Sequence, residues 1–328
     1  MNVTGVEKKQ KYILTKVNKV RAQAFWDRSE KNSFFTNPEV ISSFEENMDW
    51  WIITKGSEEL CMWGVCSTVL KKVYIPSFSY YFGPTWSQSF LKISEHSKLN
   101  TYIKIYDLCF EKFNKTYKNF IFQTYYENYE LRFFLWANEE NLKKFIIKVK
   151  YSSVIECLDQ KSENDIFMNF RELRRRMIKK IKKNQKFMKA KDFNYDEITK
   201  LYKETLKNKK QKIEKNILKK IRLFYDLCKK GKGKMLGYRD SSNKELISFI
   251  LIIFSQDTAN LILNLSSNEW KKKGITALNM YEALIYSKKN HMKKFDFNGA
   301  NSPVGADDKQ SYGGEPKLYF EIETLNNA

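Results

Sequence analysis

The 328-residue chain has little of what metal and nucleophile chemistry usually requires. It carries two histidines, His96 and His291, far apart in sequence. A zinc site needs three or four His, Cys or carboxylate ligands at close spacing, and no such spacing is present, so no metal is expected. The five cysteines, Cys61, Cys66, Cys109, Cys157 and Cys228, are odd in number and form no tight pairs, which argues against a disulfide scaffold. There is no GxSxG elbow, no Walker-type glycine run ending in Gly-Lys-Ser/Thr, and no GxGxxG fingerprint. Gly231-Lys232-Gly233-Lys234 is a basic turn without the required spacing. The longest mainly apolar stretch, Ile247 to Phe254, has eight residues with Ser248 among them, a buried strand and far too short to span a bilayer. No apolar run follows the lysines of Met1 to Lys11, so no signal peptide is read and a soluble cytoplasmic protein is expected. No zinc-finger spacing or paired RNA-binding aromatics accompany the basic residues, so no DNA partner is expected.

What the chain does have is positive charge and aromatic bulk. Lys and Arg outnumber Asp and Glu by 59 to 38, a net charge of +21. That field favours an anionic partner: a nucleotide cofactor, a phosphorylated metabolite, a nucleic acid or an acidic membrane face. Hydrophobic residues make up 42% and aromatics 15%, enough for real cores. The length suits two domains, and residues 1–150 and 151–328 are the expected division.

In the first half, Trp50 to Thr54 and Leu60 to Ser67 read as a hairpin, and Tyr102 to Phe113 as a helix by its apolar spacing. Asn119 to Tyr125 and Leu131 to Trp136 read as strands. In the second half, the pattern is a strand at Ser152 to Leu158, then a very basic helix from Phe170 to Phe187. A long helical region, Ile198 to Tyr225, follows and is broken near Asn208. Glu245 to Phe254 and Ala259 to Leu265 pair as strands, Thr276 to Lys289 is a helix, and Lys294 to Phe297 and Leu318 to Glu323 are strands. The order predicts a mixed α/β (α+β) fold, a mixed sheet covered by helices.

Three places carry candidate chemistry. After the strand ending at Leu265, a polar loop with Lys271, Lys272, Lys273 and Gly274 leads through Ile275, Thr276 and Ala277 into a helix. Unbonded first-turn amides, the helix dipole and three lysines form an anion cradle that fits a pyrophosphate; the same residues also read as a surface turn with solvated lysines. On the strand that follows, Asp296 and Asn298 share one face, and beyond them lie Lys309 and Tyr312-Gly313-Gly314. Lys309 would neutralise charge on an oxyanion or leaving group. The basic helix presents Arg174 and Arg175 around a stripe of Leu173, Met177, Ile178 and Ile181, either a solvated face or an anion-binding one. In the first half, Tyr80 and Tyr81 sit between prolines and either line a pocket or fill a core.

In their order, these pieces resemble the acyl-CoA N-acyltransferase (GNAT) superfamily. The resemblance is closer to its double-domain branch, which includes FemAB-like peptidyltransferases and acetyltransferases associated with peptidoglycan and polysaccharide gene sets. It rests on YSSVIECL followed by NFRELRRRMIKKIKKN, then DFNYDEITKLYKETLKNK, EWKKKGITALNMYEAL, KKFDFNGANSP and KQSYGGEPKLYFEI, with YIPSFSYYFGP in the first half. It implies two tandem GNAT-like domains, each a mixed β-sheet covered by helices, with the catalytic domain at 151–328. It also implies acetyl-CoA or another acyl-CoA as co-substrate, its pyrophosphate on the Lys271–Ala277 segment. Lysine stands where that family has Arg or Gln, and Thr276 where it has a small residue. The peptidyltransferase ending of basic-Phe-Lys, two residues, then Phe-Gly-Gly is matched by Lys309, Tyr312, Gly313 and Gly314. Asp307 and Asp308 depart from it.

The function the resemblance implies is therefore acyl transfer, with acetyl as the expected group, to an amine or hydroxyl of a cell-envelope or surface-polysaccharide precursor. Asp296 and Lys309 are the candidate catalytic residues. Tyr80, Tyr81, Arg174, Arg175, Asn298 and Tyr312 would face an anionic acceptor such as a nucleotide sugar or a lipid-linked precursor, with the first domain as its wall. The alternatives are tRNA-dependent aminoacyl transfer to a peptidoglycan precursor and a nonenzymatic basic RNA-binding protein.

Overall fold

A computed structural model describes residues 11–325 except 31, 44, 46, 141–144, 184–185 and 209–215. The chain divides into two compact units, one running to Val149 and including the residues from Tyr319 on, the other Lys150–Leu318.

The first unit is built from β1 (Tyr12–Val17), α1 (Lys19–Arg28), α2 (Pro38–Ser42), β2 (Met48–Lys55), β3 (Glu58–Cys66), β4 (Pro84–Trp86), α3 (Gln88–Leu91), α4 (Glu95–Thr116), β5 (Ile121–Gln123) and α5 (Arg132–Glu139). Strands β1 to β4 form an antiparallel sheet in sequence order, with the expected β2–β3 hairpin. Helix α4 buries Tyr102, Ile105, Tyr106, Cys109, Phe110 and Phe113, a three-and-four spacing that makes one apolar face. Trp63 of β3 is fully buried among Tyr106, Phe110, Phe113, Phe120 and Phe122. Edge-to-face packing of such rings adds to the burial of their large surfaces.

One expectation fails in this unit. Leu131 to Trp136 is not a strand but the start of α5. Phe133, Phe134 and Ala137 are buried there while Leu135 and Trp136 stay 47% and 42% exposed. That is a helical period; the aromatic residues carry strand propensity, and packing overrode it.

The second unit starts within β6 (Phe145–Ile155). It continues with α6 (Glu163–Met168), α7 (Glu172–Lys182), β7 (Phe187–Lys189), α8 (Tyr195–Asn208), α9 (Ile217–Lys229), β8 (Gly233–Asp240), β9 (Leu246–Ser255) and β10 (Thr258–Ser266). It ends with α10 (Asn268–Lys273), α11 (Ile275–Lys289), β11 (Lys294–Asp296), α12 (Pro303–Gln310) and the start of β12 (Glu315–Thr324). Its strand order is β6-β11-β10-β9-β8-β7. The β10–β11 pair is parallel, and β6–β11, β9–β10, β8–β9 and β7–β8 are antiparallel.

The apolar run of β9 is explained by cover on both faces. Ile250 and Ile252 join the core beneath α11, while Phe249 packs edge-on against Phe193 on the other side. The expected break near Asn208 falls at the end of α8, and residues 209–215 lie outside the described residues. Two expected loops are helical. Lys271 to Lys273 form the last turn of α10, and Lys309 lies in α12, which Ser302 caps at the backbone of Gly305 with Pro303 in the first turn. Proline at a helix start costs no intrahelical bond.

Candidate functional site

The site grows from the one parallel strand pair described. Strands β10 and β11 are in register from Thr258–Lys294 to Asn260–Asp296. Beyond that, β11 stops and β10 continues to Ser266. A bulge between Leu261 and Leu263 shifts the register of β10 against β9. Asn298, with a left-handed φ of 59°, turns the chain away, and its Nδ2 donates to Leu261 O at 2.8 Å. The strands therefore part at the carboxyl end of a parallel pair, the usual place for a ligand in such sheets.

Past this point lies a pocket of about 160 Å³, lined by Arg174, Thr205, Asn264, Ser266, Asn268, Lys271, Thr276, Asp308 and Tyr312. Each wall has a local cause. Asn264 and Ser266 are the polar members of one face of β10. Arg174 is held on α7, which turns Ile178 and Ile181 to the core. Lys271 closes α10. Thr276 opens α11, and no side chain caps that helix; Ala277 N and Leu278 N donate back to Gly274 O at 3.1 and 3.2 Å, which leaves the amides of Ile275 and Thr276 for an anion.

Gly274 separates the two helices at φ 99°, and a Cβ there would meet the Met177 Cβ at 2.9 Å. The glycine lets α7 approach the start of α11, which is what brings Arg174 and Thr276 to one pocket. Behind them runs a buried polar chain. Thr276 Oγ1 donates to Ser266 Oγ at 2.8 Å, Ser266 Oγ is 3.3 Å from Ser248 Oγ, and Asn279 Nδ2 donates to Ser248 Oγ at 3.0 Å.

Electrostatically the pocket is cationic but partly neutralised. The Arg174 guanidinium carbon lies 4.8 Å from the Tyr312 ring centroid. Its Nε donates to Ser311 Oγ at 2.9 Å and its Nη2 bonds the Asp308 carboxylate. One turn earlier, Arg171 pairs with Asp307 in two contacts of 3.1 and 2.6 Å. The Arg171 hydrogen bond holds the Asp307 carboxyl below its usual range. Tyr312 is 1% exposed and its hydroxyl has no hydrogen-bond partner among the described residues; Asn264 is half-buried, and its Oδ1 likewise has no partner among them. Burial, with the Asp308 charge as a second cause, pushes the Tyr312 phenol well above its ordinary value. It is therefore a protonated donor for which none of the described residues supplies a partner.

The structure brings Arg174, Lys271, Thr276 and Tyr312 together and sends the other sequence candidates elsewhere. Asp296 is 1% exposed and does not line the pocket. Its Oδ1 accepts from Ser152 Oγ at 2.8 Å and from Asn298 N at 2.7 Å. Asn298 is 2% exposed. Lys309 Nζ donates to the carbonyls of Asn298 and Gly299 at 2.5 Å each. These three hold the turn after β11.

Arg175 donates to Met168 O at 2.7 Å. Lys273 pairs with Glu269 and lies 4.4 Å over the Trp270 ring. Lys272 is exposed, and the side chains of Ile275 and Ala277 are buried. Tyr81 is 2% exposed and packs on Phe35, Tyr125, Tyr126 and Tyr319; Tyr80 packs on Phe35. Both serve the aromatic core of the first unit. Sequence reasoning missed Thr205, Asn264, Ser266, Asn268 and Asp308. The alternation of polar Asn264 and Ser266 along apolar β10 was a legible signal for two of them.

The Tyr312-Gly313-Gly314 segment fixes the ring that roofs the pocket. Gly313 has φ 86°, and a Cβ on Gly314 would meet Ser153 Oγ at 2.1 Å. Both reasons for adjacent glycines, a forbidden conformation and a close approach, apply here.

No family model and no curated protein matches the sequence. Solved structures do. FemX is similar at 10% identity, covering 94% of this chain and 96% of its own, with a TM-score of 0.64. L-PGS from Bacillus licheniformis is similar at 13% identity, covering 95% and 93%, TM-score 0.56. A tandem GNAT protein from the clavulanic acid biosynthesis pathway, solved without AcCoA, is similar at 8% identity, covering 96% and 98%, TM-score 0.52. The chain has the double-domain, FemAB-like form of the tandem GNAT fold that the sequence pieces resemble.

Proposed function

We propose that the chain is an acyltransferase that takes an acyl group from an acyl-CoA, with its phosphates at the start of α11. The observation that carries this reading is one pocket holding Arg174, Lys271, a helix start with no side-chain cap and two buried polar atoms without partners among the described residues. Such atoms are costly to bury unless a ligand satisfies them. The parting of β10 and β11 beside the pocket gives room for an extended donor arm. The likeness to a tandem GNAT protein solved without AcCoA supports the same donor.

In the reaction an amine or hydroxyl attacks the thioester carbonyl and the thiolate leaves. The protein's part is to align the two substrates and to stabilise charge. Tyr312 Oη donates a hydrogen bond to the oxyanion or the departing sulfur. Asp308 is the carboxylate within the pocket, and it or a relayed water accepts the nucleophile's proton. Asp296 and Lys309 act by holding the Asn298–Gly299 turn. The acceptor is an envelope or surface-polysaccharide precursor, a nucleotide sugar or a lipid-linked one, consistent with the chain's positive charge. Calorimetry with acetyl-CoA tests the reading: binding by the parent and a clear loss in Arg174→Ala and Lys271→Ala support it, and absence of binding by the parent sinks it.

The second reading is aminoacyl transfer from a charged tRNA. It is favoured by the exposed lysines of α7 and by the likeness to FemX and to a lysylphosphatidylglycerol synthetase domain from Agrobacterium fabrum, 8% identical with a TM-score of 0.55. Transfer activity that requires tRNA and ignores acetyl-CoA would select it.

A further inference from the structure

The segment between β3 and β4 is folded in a way that the transfer chemistry does not use. Its tip, Thr68 to Lys72, carries Val69 at 85% and Leu70 at 70% exposure. Turn positions normally hold Gly, Asn, Asp, Pro or Ser; here two large apolar side chains stand next to each other at the most solvated place. The tip is also stiff. Thr68 N donates to Lys72 O and Lys71 N to Thr68 O, both at 2.9 Å, and Lys72 N donates to Thr68 Oγ1 at 3.2 Å.

Its base is tied down by the Ser67–Val73 and Lys72–Asn119 bridges, by Tyr74 N to Cys66 O at 3.1 Å, and by Lys118 N to Lys71 O at 3.0 Å. Lys71, Lys72 and Lys118 surround the apolar pair and are exposed. Asp49, which interacts with Lys71, is already engaged by Lys16 Nζ at 2.6 Å and by the Tyr117 hydroxyl at 2.8 Å.

We propose that this tip is a membrane-docking element, which inserts Val69 and Leu70 at the headgroup–acyl boundary of a bilayer while the lysines contact anionic lipid phosphates. Two apolar side chains make too small a patch for a stable protein interface, which takes roughly 800 Å² per partner. A few inserted apolar groups combined with a basic rim do suffice for reversible attachment to an anionic surface. The net charge of +21 steers the whole chain towards such a surface. The inference stands independently of which acyl donor the pocket takes.

Co-sedimentation of the full chain with phosphatidylcholine vesicles, with and without phosphatidylglycerol, tests it. The expected result is binding that requires the anionic lipid and falls roughly tenfold in Val69→Ser/Leu70→Ser. Lys71→Glu/Lys72→Glu should also bind more weakly. Val304→Ser, which removes an apolar side chain 83% exposed elsewhere, should bind as the parent does. No binding by the parent to anionic vesicles, undiminished binding by Val69→Ser/Leu70→Ser, or an equal loss in Val304→Ser would each overturn the proposal. All substituted positions are on the surface, and circular dichroism checks that the variants stay folded.

Discussion

Arg174 lies above the ring of Tyr312, its guanidinium carbon 4.8 Å from the centroid. The arginine is on α7 and the tyrosine follows α12; the two meet where Arg171 N donates to Ser311 O at 2.9 Å and Gly313 comes close to Asn169. This stacking fixes a guanidinium, planar and always charged, at the edge of the pocket. It ties one of the pocket's two cations and the Tyr312 hydroxyl into one unit.

Arg174→Ala should therefore weaken the binding of acetyl-CoA about tenfold or more, because a charge-assisted contact and the support of the Tyr312 ring go together. Arg174→Lys should restore only part of it, since an ammonium cannot stack and fork at once. Calorimetric titration with acetyl-CoA measures both.

Asp308 competes for the same guanidinium. Asp308→Asn removes a negative charge from the pocket rim, where the carboxylate side chain is 40% exposed. If the pocket binds an anion, affinity for acetyl-CoA or inorganic pyrophosphate should rise several-fold in dilute buffer, and the gain should shrink as salt is added. Unchanged or weaker anion binding would contradict the cationic role assigned to Arg174.

Gly274→Ala should destabilise the fold by about 2 kcal/mol. A left-handed backbone with a Cβ strains the residue, and the new atom meets the Met177 Cβ at 2.9 Å, which pushes α7 from α11. Chemical denaturation gives the stability change. Acetyl-CoA affinity should fall in the same variant under conditions where it is fully folded.

Glu197 and Arg239 form a forked pair at 2.7 and 2.8 Å. The Arg239 hydrogen bond holds the Glu197 carboxyl below its ordinary value of 4.5. A depressed carboxyl contributes stability above its unfolded pKa and loses it as pH falls through the folded value. The parent should thus exceed Glu197→Gln by about 0.5–1 kcal/mol at neutral pH, the size expected for a partly solvated pair. The gap should hold down to about pH 5 and then close in more acidic buffer. Thermal melts of both proteins across that range check it.

Most of the second unit was legible in the sequence because period and polarity agree there. The β9–β10 pair and α11 fall where their apolar patterns put them. Where the two signals conflict, the sequence misled. The aromatic run Leu131 to Trp136 has strand propensity and helical burial. Lys271 to Lys273 are polar enough for a loop, yet Glu269 and Lys273 pair one turn apart within α10.

The sequence by itself determined the two apolar cores, the charge that calls for an anionic partner, and the residue types of an anion site at the start of a helix. Which of those residues meet was decided only in three dimensions. Arg174 and Tyr312 are separated by 138 positions and Thr276 lies between them; only the packing of α7 on α11 and the glycines at 274, 313 and 314 bring them together. Asp296, apparently poised on a strand, is instead taken up by Ser152 and the backbone of Asn298. The Asn298 amide, two residues on, is a local partner of the kind short polar side chains find in turns, but Ser152 is remote in sequence and no local pattern encodes it.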